Sequence, residues 1–139
     1  MPIISFLHGA PDRLAAACRL AQDCFREGRR VLVYAPDPHV AETFDVQLWT
    51  FAALGFVPHC RAGSALAAET PVLIASRADV IEHDDVLLNL SSEVPPGFQR
   101  FRQVIEVVSN GEDAGPARQR FRIYKEQGFP PDAQPYGVH

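Results

Sequence analysis

The sequence lacks most of the signatures that mark a small catalytic domain. No GxGxxG, GxxxxGKS/T or GxSxG motif stands anywhere in its 139 residues. A nucleotide pyrophosphate therefore has no glycine-rich turn to lie in, and an α/β-hydrolase serine has no elbow. The turn after the first apolar run, His8-Gly9-Ala10-Pro11-Asp12, carries a single glycine. Only three cysteines occur, Cys18, Cys24 and Cys60, without CxxC spacing. An odd number at such spacing predicts reduced thiols in a cytoplasmic protein, and neither a disulfide framework nor a zinc site. No apolar run approaches the ~20 residues of a membrane helix. Met1 to His8 has no basic stretch and reads as a first strand, not a signal peptide. Positive charge is also short: 13 Lys and Arg face 17 Asp and Glu, a net charge of -4. That balance argues against binding nucleic acid over the whole surface. Neither an internal repeat nor a low-complexity tract is present.

What is there fits one soluble domain. Apolar residues make up 47% and charged residues 22%, and the mean hydropathy is -0.06. At this length a chain buries roughly two-thirds of its unfolded surface and needs no staple. Apolar runs at Ile3–Leu7, Arg30–Ala35, Pro71–Ala75, Val86–Leu90 and Gln103–Val108 predict strands buried on both faces. Between them lie helical patterns. Leu14, Cys18, Ala21 and Phe25 form one stripe of a helix over residues 12–27, which stops at Gly28. Asp37-Pro38 opens a second helix, whose stripe is Val40, Phe44, Leu48 and Phe51. A third runs from Glu112 to Gln127 and ends at Gly128. Strands alternating with helices predict an α/β fold with helices on both faces of a largely parallel sheet. The expected domain spans residues 1–129. Residues 130–139, with Pro130, Pro131, Pro135 and Gly137, read as a flexible proline-rich segment.

Three places bear on chemistry. His59-Cys60 and His83-Asp84-Asp85 hold metal-ligating residue types, but not at spacings that converge from one element. A turn and a solvated acidic loop are the expected readings. The second place is Leu48 to His59, where Trp49, Phe51 and Phe56 crowd at and beyond a helix end. Trp49 falls about 100° round from Leu48 on a helix, so one core face cannot take both. It is either a corner of the core or a protein-binding patch. The third is the last helix. Residues 100–125 hold six basic and three acidic residues on a chain that is otherwise acidic. Arg118, Arg122 and Lys125 recur at i, i+4 and i+7 beside the stripe of Ala117, Phe121 and Tyr124. Guanidinium groups beside an aromatic edge suit a peptide carrying carboxylates and an apolar residue. The competing reading is a small α/β nucleotide- or phosphate-binding enzyme, with Arg118 and Arg122 on a phosphate and Asp84 or Asp85 on a metal.

Four pieces, in order, resemble the chi subunit family of the bacterial DNA polymerase III holoenzyme. They are Gly28-Arg29-Arg30-Val31-Leu32-Val33, then Leu48-Trp49 with Phe56-Val57-Pro58-His59, then Arg118 to Tyr124, then Gly128-Phe129. The resemblance covers roughly residues 1–129. It implies an α/β/α sandwich with nucleotide-binding-like topology but no phosphate loop. It also implies a clamp-loader accessory protein without catalytic residues, cofactor or metal. The basic last helix would receive the acidic C-terminal tail of single-stranded DNA-binding protein, through Arg118, Phe121 and Arg122, with Lys125 beside them. The face of Trp49, Phe51, Phe56 and Pro58 would dock the psi subunit or an iron–sulfur helicase. DNA would be contacted only through its coating protein. Ala114 stands where the family pattern can carry a lysine, which implies a weaker tail site or a shift onto Lys125 or Arg120.

Overall fold

A computed structural model of the chain describes residues 2–50, 57–77 and 83–137. The elements run β1 (Ile3–Ala10), α1 (Arg13–Arg26), β2 (Val31–Tyr34), α2 (Pro38–Thr50), β3 (His59–Arg61), β4 (Val72–Ala75), β5 (Val86–Asn89), β6 (Gln103–Ser109), α3 (Ala114–Glu126) and β7 (Asp132–Pro135). The seven strands form one sheet in the order β3-β4-β2-β5-β6-β1-β7. Every pairing is parallel. The expected α/β sandwich is therefore present, with a sheet that is wholly parallel.

Side-chain alternation builds two cores. Val31, Val33, Ile74, Leu88 and Val107 face one layer, where Ala17, Cys18 and Ala21 of α1 and Phe44 and Leu48 of α2 pack on them. Leu32, Leu73, Leu87 and Val104 face the other, beneath Phe98, Phe101 and Ala117 and Tyr124 of α3. Connections that step toward β3 cross the α1–α2 face. Of those that step toward β7, the β3–β4, β5–β6 and β6–β7 connections lie on the α3 face. These described connections thus have one hand, as parallel crossovers do. Short strands buried on both faces explain why their sequences are continuous apolar runs.

Local chemistry sets the helix ends. Asp12 caps α1, its Oδ1 accepting from the Ala15 N–H at 3.0 Å. Asp37 does the same for α2, accepting from the His39 N–H at 2.9 Å. Both α1 and α3 finish in a left-handed glycine, Gly28 (φ 76°) and Gly128 (φ 90°). The next residue's N–H then reaches back to Cys24 O and Tyr124 O, 2.9 Å in each case.

Two expectations need correction. Residues 132–135 are not a loose segment: they pair with Ser5–His8 as β7, and the Tyr136 N–H donates to His8 O at 2.8 Å. The strand's side chains are all exposed, so hydrophobic pattern carried no trace of it. His59-Cys60 is likewise no turn but the start of β3, paired to Val72 and Leu73.

Candidate functional site

α3 runs antiparallel to the strands over the edge formed by β6, β1 and β7, and it leaves a cleft of ≈ 650 Å³. Ala114, Ala117, Arg118, Phe121, Arg122 and Lys125 form its helical wall. Phe6, His8 and Gly9 of β1, Val108 to Asn110 at the end of β6, and Ala133 of β7 form the other. The chain after β1 leaves over one face of the sheet and the chain after β6 over the other. Their carboxyl ends accordingly part at a topological switch point, the place where open α/β sheets hold ligands. Arg118, Arg122 and Lys125 are exposed and Phe121 is half-buried. Phe121 meets Phe6 edge to face with ring centroids 5.1 Å apart. The cleft thus offers an apolar floor, three cations on one rim, and the positive end of the α3 dipole at its mouth. All four residues expected of an anionic-peptide site meet here. The opposite wall was missed, because nothing local says that β1 pairs with β6.

The start of α3 is set by a side chain that bends away from the helix. Asp113 accepts from the Ser109 N–H at 2.8 Å and from the Ser109 hydroxyl. Burial raises its pKa, but these hydrogen bonds outweigh burial and hold the carboxyl below its ordinary value.

Arg120 does not belong to the basic rim. It is buried (1% exposed), with its Nε 3.1 Å from Oε1 of Glu106, which is 0% exposed. Oε2 of Glu106 accepts from the Tyr124 hydroxyl and from Asn89 Nδ2, both at 2.8 Å. Burial pushes the Glu106 carboxyl above its ordinary range, against the pull of Arg120, Asn89, Tyr124 and Arg13. Arg120 therefore cannot take up a tail in place of the residue at Ala114, which itself lines the cleft. A lone Glu in the apolar run QVIEVV was the sequence signal of this buried partner.

The Trp49 face lies at the opposite edge of the sheet, beside β3. Trp49 is 54% and Val46 52% exposed, one turn apart on α2. The indole lies against the His59 imidazole, with centroids 4.8 Å apart. His59 contacts Asp45 Oδ1 through Nε2 (3.0 Å) and Val57 O through Nδ1 (2.7 Å). Arg61 contacts Asp45 at 3.3 Å and Glu42 at 3.2 Å, so β3 is fastened to α2. Pro58 is half-buried beside them. Phe51 and Phe56 lie outside the described residues.

The phosphate-and-metal reading is not supported by placement. Asp84 and Asp85 precede β5, at the amino ends of the strands, whereas the Arg118 cleft opens toward the carboxyl ends of β1 and β6. Asp85 is also paired with Arg29 at 3.1 Å. His83, expected in a solvated loop, is 1% exposed, with Arg100 donating to its carbonyl at 2.6 Å. Among the described residues, no three His, Cys, Asp or Glu side chains are grouped to hold a metal.

Known proteins match most of the chain in sequence. A family model described as DNA polymerase III chi subunit, HolC, matches residues 1–132. DNA polymerase III subunit chi of Pseudomonas aeruginosa is 37% identical over 119 residues, covering 85% of this chain and 82% of the relative. The subunit chi of Haemophilus influenzae is 33% identical over 116 residues, covering 81% and 80%. That of Escherichia coli is 31% identical over 114 residues, covering 81% and 78%. The chain belongs to the DNA polymerase III chi subunit family, an accessory rather than a catalytic component of the replicase.

Proposed function

We propose that the chain is a non-catalytic adaptor in DNA replication, linking the DNA polymerase III clamp loader to single-stranded DNA coated by its binding protein. The α3 cleft receives the acidic C-terminal tail of that binding protein. Arg118 and Arg122 clamp carboxylates, Phe121 and Phe6 receive the tail's ring, and Lys125 adds charge at the rim. The Trp49 face docks the psi subunit, or an iron–sulfur helicase in its place. DNA itself is met through the coating protein, in keeping with a net charge of -4. Such a protein works in the cytoplasm.

The observation that carries this reading is the cleft. Three solvent-facing cations and a half-buried ring converge on one apolar floor at a switch point of the sheet. The two faces also stand at opposite edges of a seven-stranded sheet. Strands lie about 4.8 Å apart, so β3 and the cleft at β6 and β1 are four to five spacings, roughly 19–24 Å, apart and two partners can bind without touching.

The test is an isothermal titration of an acidic peptide ending in an aromatic residue with a free carboxylate. Charge-assisted hydrogen bonds contribute roughly 1.5–3 kcal/mol each, so Arg118→Ala should weaken binding about tenfold or more. Equal affinity for wild type and variant would overturn the assignment.

A further inference from the structure

We propose that Glu106 is the positioning residue of the α3 cleft: from inside the protein, its carboxylate sets the rotation of α3 that aims Arg118, Phe121 and Arg122 at a bound acidic peptide. The inference rests on reading the cleft as a peptide site.

One carboxylate holds the helix at two points. Arg120 and Tyr124 lie four residues apart on α3, on one line of the helix. Each reaches Glu106 through a separate oxygen, at 3.1 and 2.8 Å. Arg118 and Arg122 stand two residues either side of Arg120, about 160° round the helix. A turn of the helix by ~20° moves a side-chain tip by about 2 Å, given a radius of ~5–6 Å. Such a turn breaks both bonds to Glu106 and swings both guanidinium groups off target. A second route runs through rings. The phenol held by Glu106 packs edge to face on Phe6 at 5.9 Å, and Phe6 packs on Phe121 at 5.1 Å.

The carboxylate is itself fixed. Asn89, which donates to it, accepts from the Ser91 N–H and hydroxyl at 3.0 and 2.7 Å. The Arg13 guanidinium donates to the carbonyls of Val107, Asn89 and Ser91. Arg120 also donates to Ser92 O at 3.3 Å. The carboxylate is thus tied to the end of β5, the segment after it and the first turn of α1. Stability does not account for this arrangement, because apolar residues of similar volume often replace a buried ion pair at no loss. Leucine and methionine pack without direction; a carboxylate with directed donors fixes an angle.

The experiment is a double-mutant cycle on peptide affinity. Wild type, Glu106→Gln, Arg118→Ala and the double variant are titrated with the acidic peptide, each first shown by circular dichroism to be folded. Expected are a weakening of about tenfold for Glu106→Gln, and a smaller effect of Arg118→Ala in that background than in the wild type, the mark of coupling between residues that do not touch. Val33→Ala, in the other core layer, should lower the melting temperature and leave affinity unchanged. If Glu106→Gln does not fold, the pair Glu106→Leu with Arg120→Met replaces it, and a folded protein with weakened binding is expected. Wild-type affinity in whichever variant folds, or effects that simply multiply, would overturn the inference alone. An Arg118→Ala variant that binds like wild type would overturn the peptide-site reading, and the inference with it.

Discussion

The Trp49 indole rests against the His59 imidazole, whose two ring nitrogens face Asp45 and the Val57 carbonyl. The exposed ring of α2 is thereby held by a residue of the edge strand, and the His59 side chain is only 1% exposed. His59→Ala should free the indole. Trp49 is the single tryptophan, so its emission reports the change directly: a shift to longer wavelength is expected, with weaker binding of psi. The acidic-peptide titration should not change. Unaltered emission would show that His59 does not hold the ring.

Geometry separates arginine from lysine at the cleft. Arg118→Lys should recover only part of what Arg118→Ala loses, since an ammonium lacks the planar fork. Affinity should fall as salt is raised, because exposed charges are screened within about 10 Å at 0.1 M. Titrations of wild type and Arg118→Lys at two salt concentrations check both points. Full affinity in the lysine variant would remove the argument for paired hydrogen bonds.

Acid should loosen the start of α3. Burial opposes it, yet the Ser109 hydrogen bonds leave Asp113 with a folded pKa below its ordinary 3.8. A depressed carboxyl stabilises the fold fully above 3.8, and that contribution is lost as pH falls through the folded value. Asp113→Asn should therefore melt lower than wild type at neutral pH, and the gap should close in strong acid. Glu106 has the opposite sign. Burial raises it above its ordinary 4.5, so its contribution is present below 4.5 and lost as pH rises through the folded value. Melting curves across the acid range for Asp113→Asn and Glu106→Gln should shift in opposite senses with pH.

The thiols should differ in reactivity. Burial pushes Cys18 to about 12 and Cys24 to about 11, and both are buried, whereas Cys60 is half-exposed. Native protein treated with iodoacetamide near pH 8 should gain one adduct, on Cys60, and all three thiols should react once guanidinium unfolds it. Peptide mapping by mass spectrometry reads the site. Early modification of Cys18 would contradict the packing described for α1.

Much of the sandwich was legible because its signals are local. Phe44 and Leu48 are buried as their stripe requires, and the Gly28 and Gly128 stops fall where α1 and α3 end. The β3 and β7 strands were not legible. Each is short and largely polar, and each is a strand only because a distant partner, β4 or β1, lies beside it. The site divides in the same way. Arg118, Phe121, Arg122 and Lys125 share one helix and could be read from spacing. Phe6, His8 and Asn110 join them only through the β1–β6 pairing. Arg120 misled because charge alone reads as surface, whereas its partner Glu106 sits 14 residues away in an apolar strand.

β7 also covers a strand that would otherwise be a pairing edge. Without it, β1 would be the margin of the sheet, and its eight residues include buried Ile4, Phe6 and Leu7. A long apolar strand with a free row of N–H and C=O groups is a template for another chain. β7 occupies that row with four exposed residues, and its Pro135 has no N–H to offer beyond it. The segment after α3 therefore acts as a guard against aggregation: it puts a short, polar, proline-ended strand at the rim where a sticky one would otherwise stand.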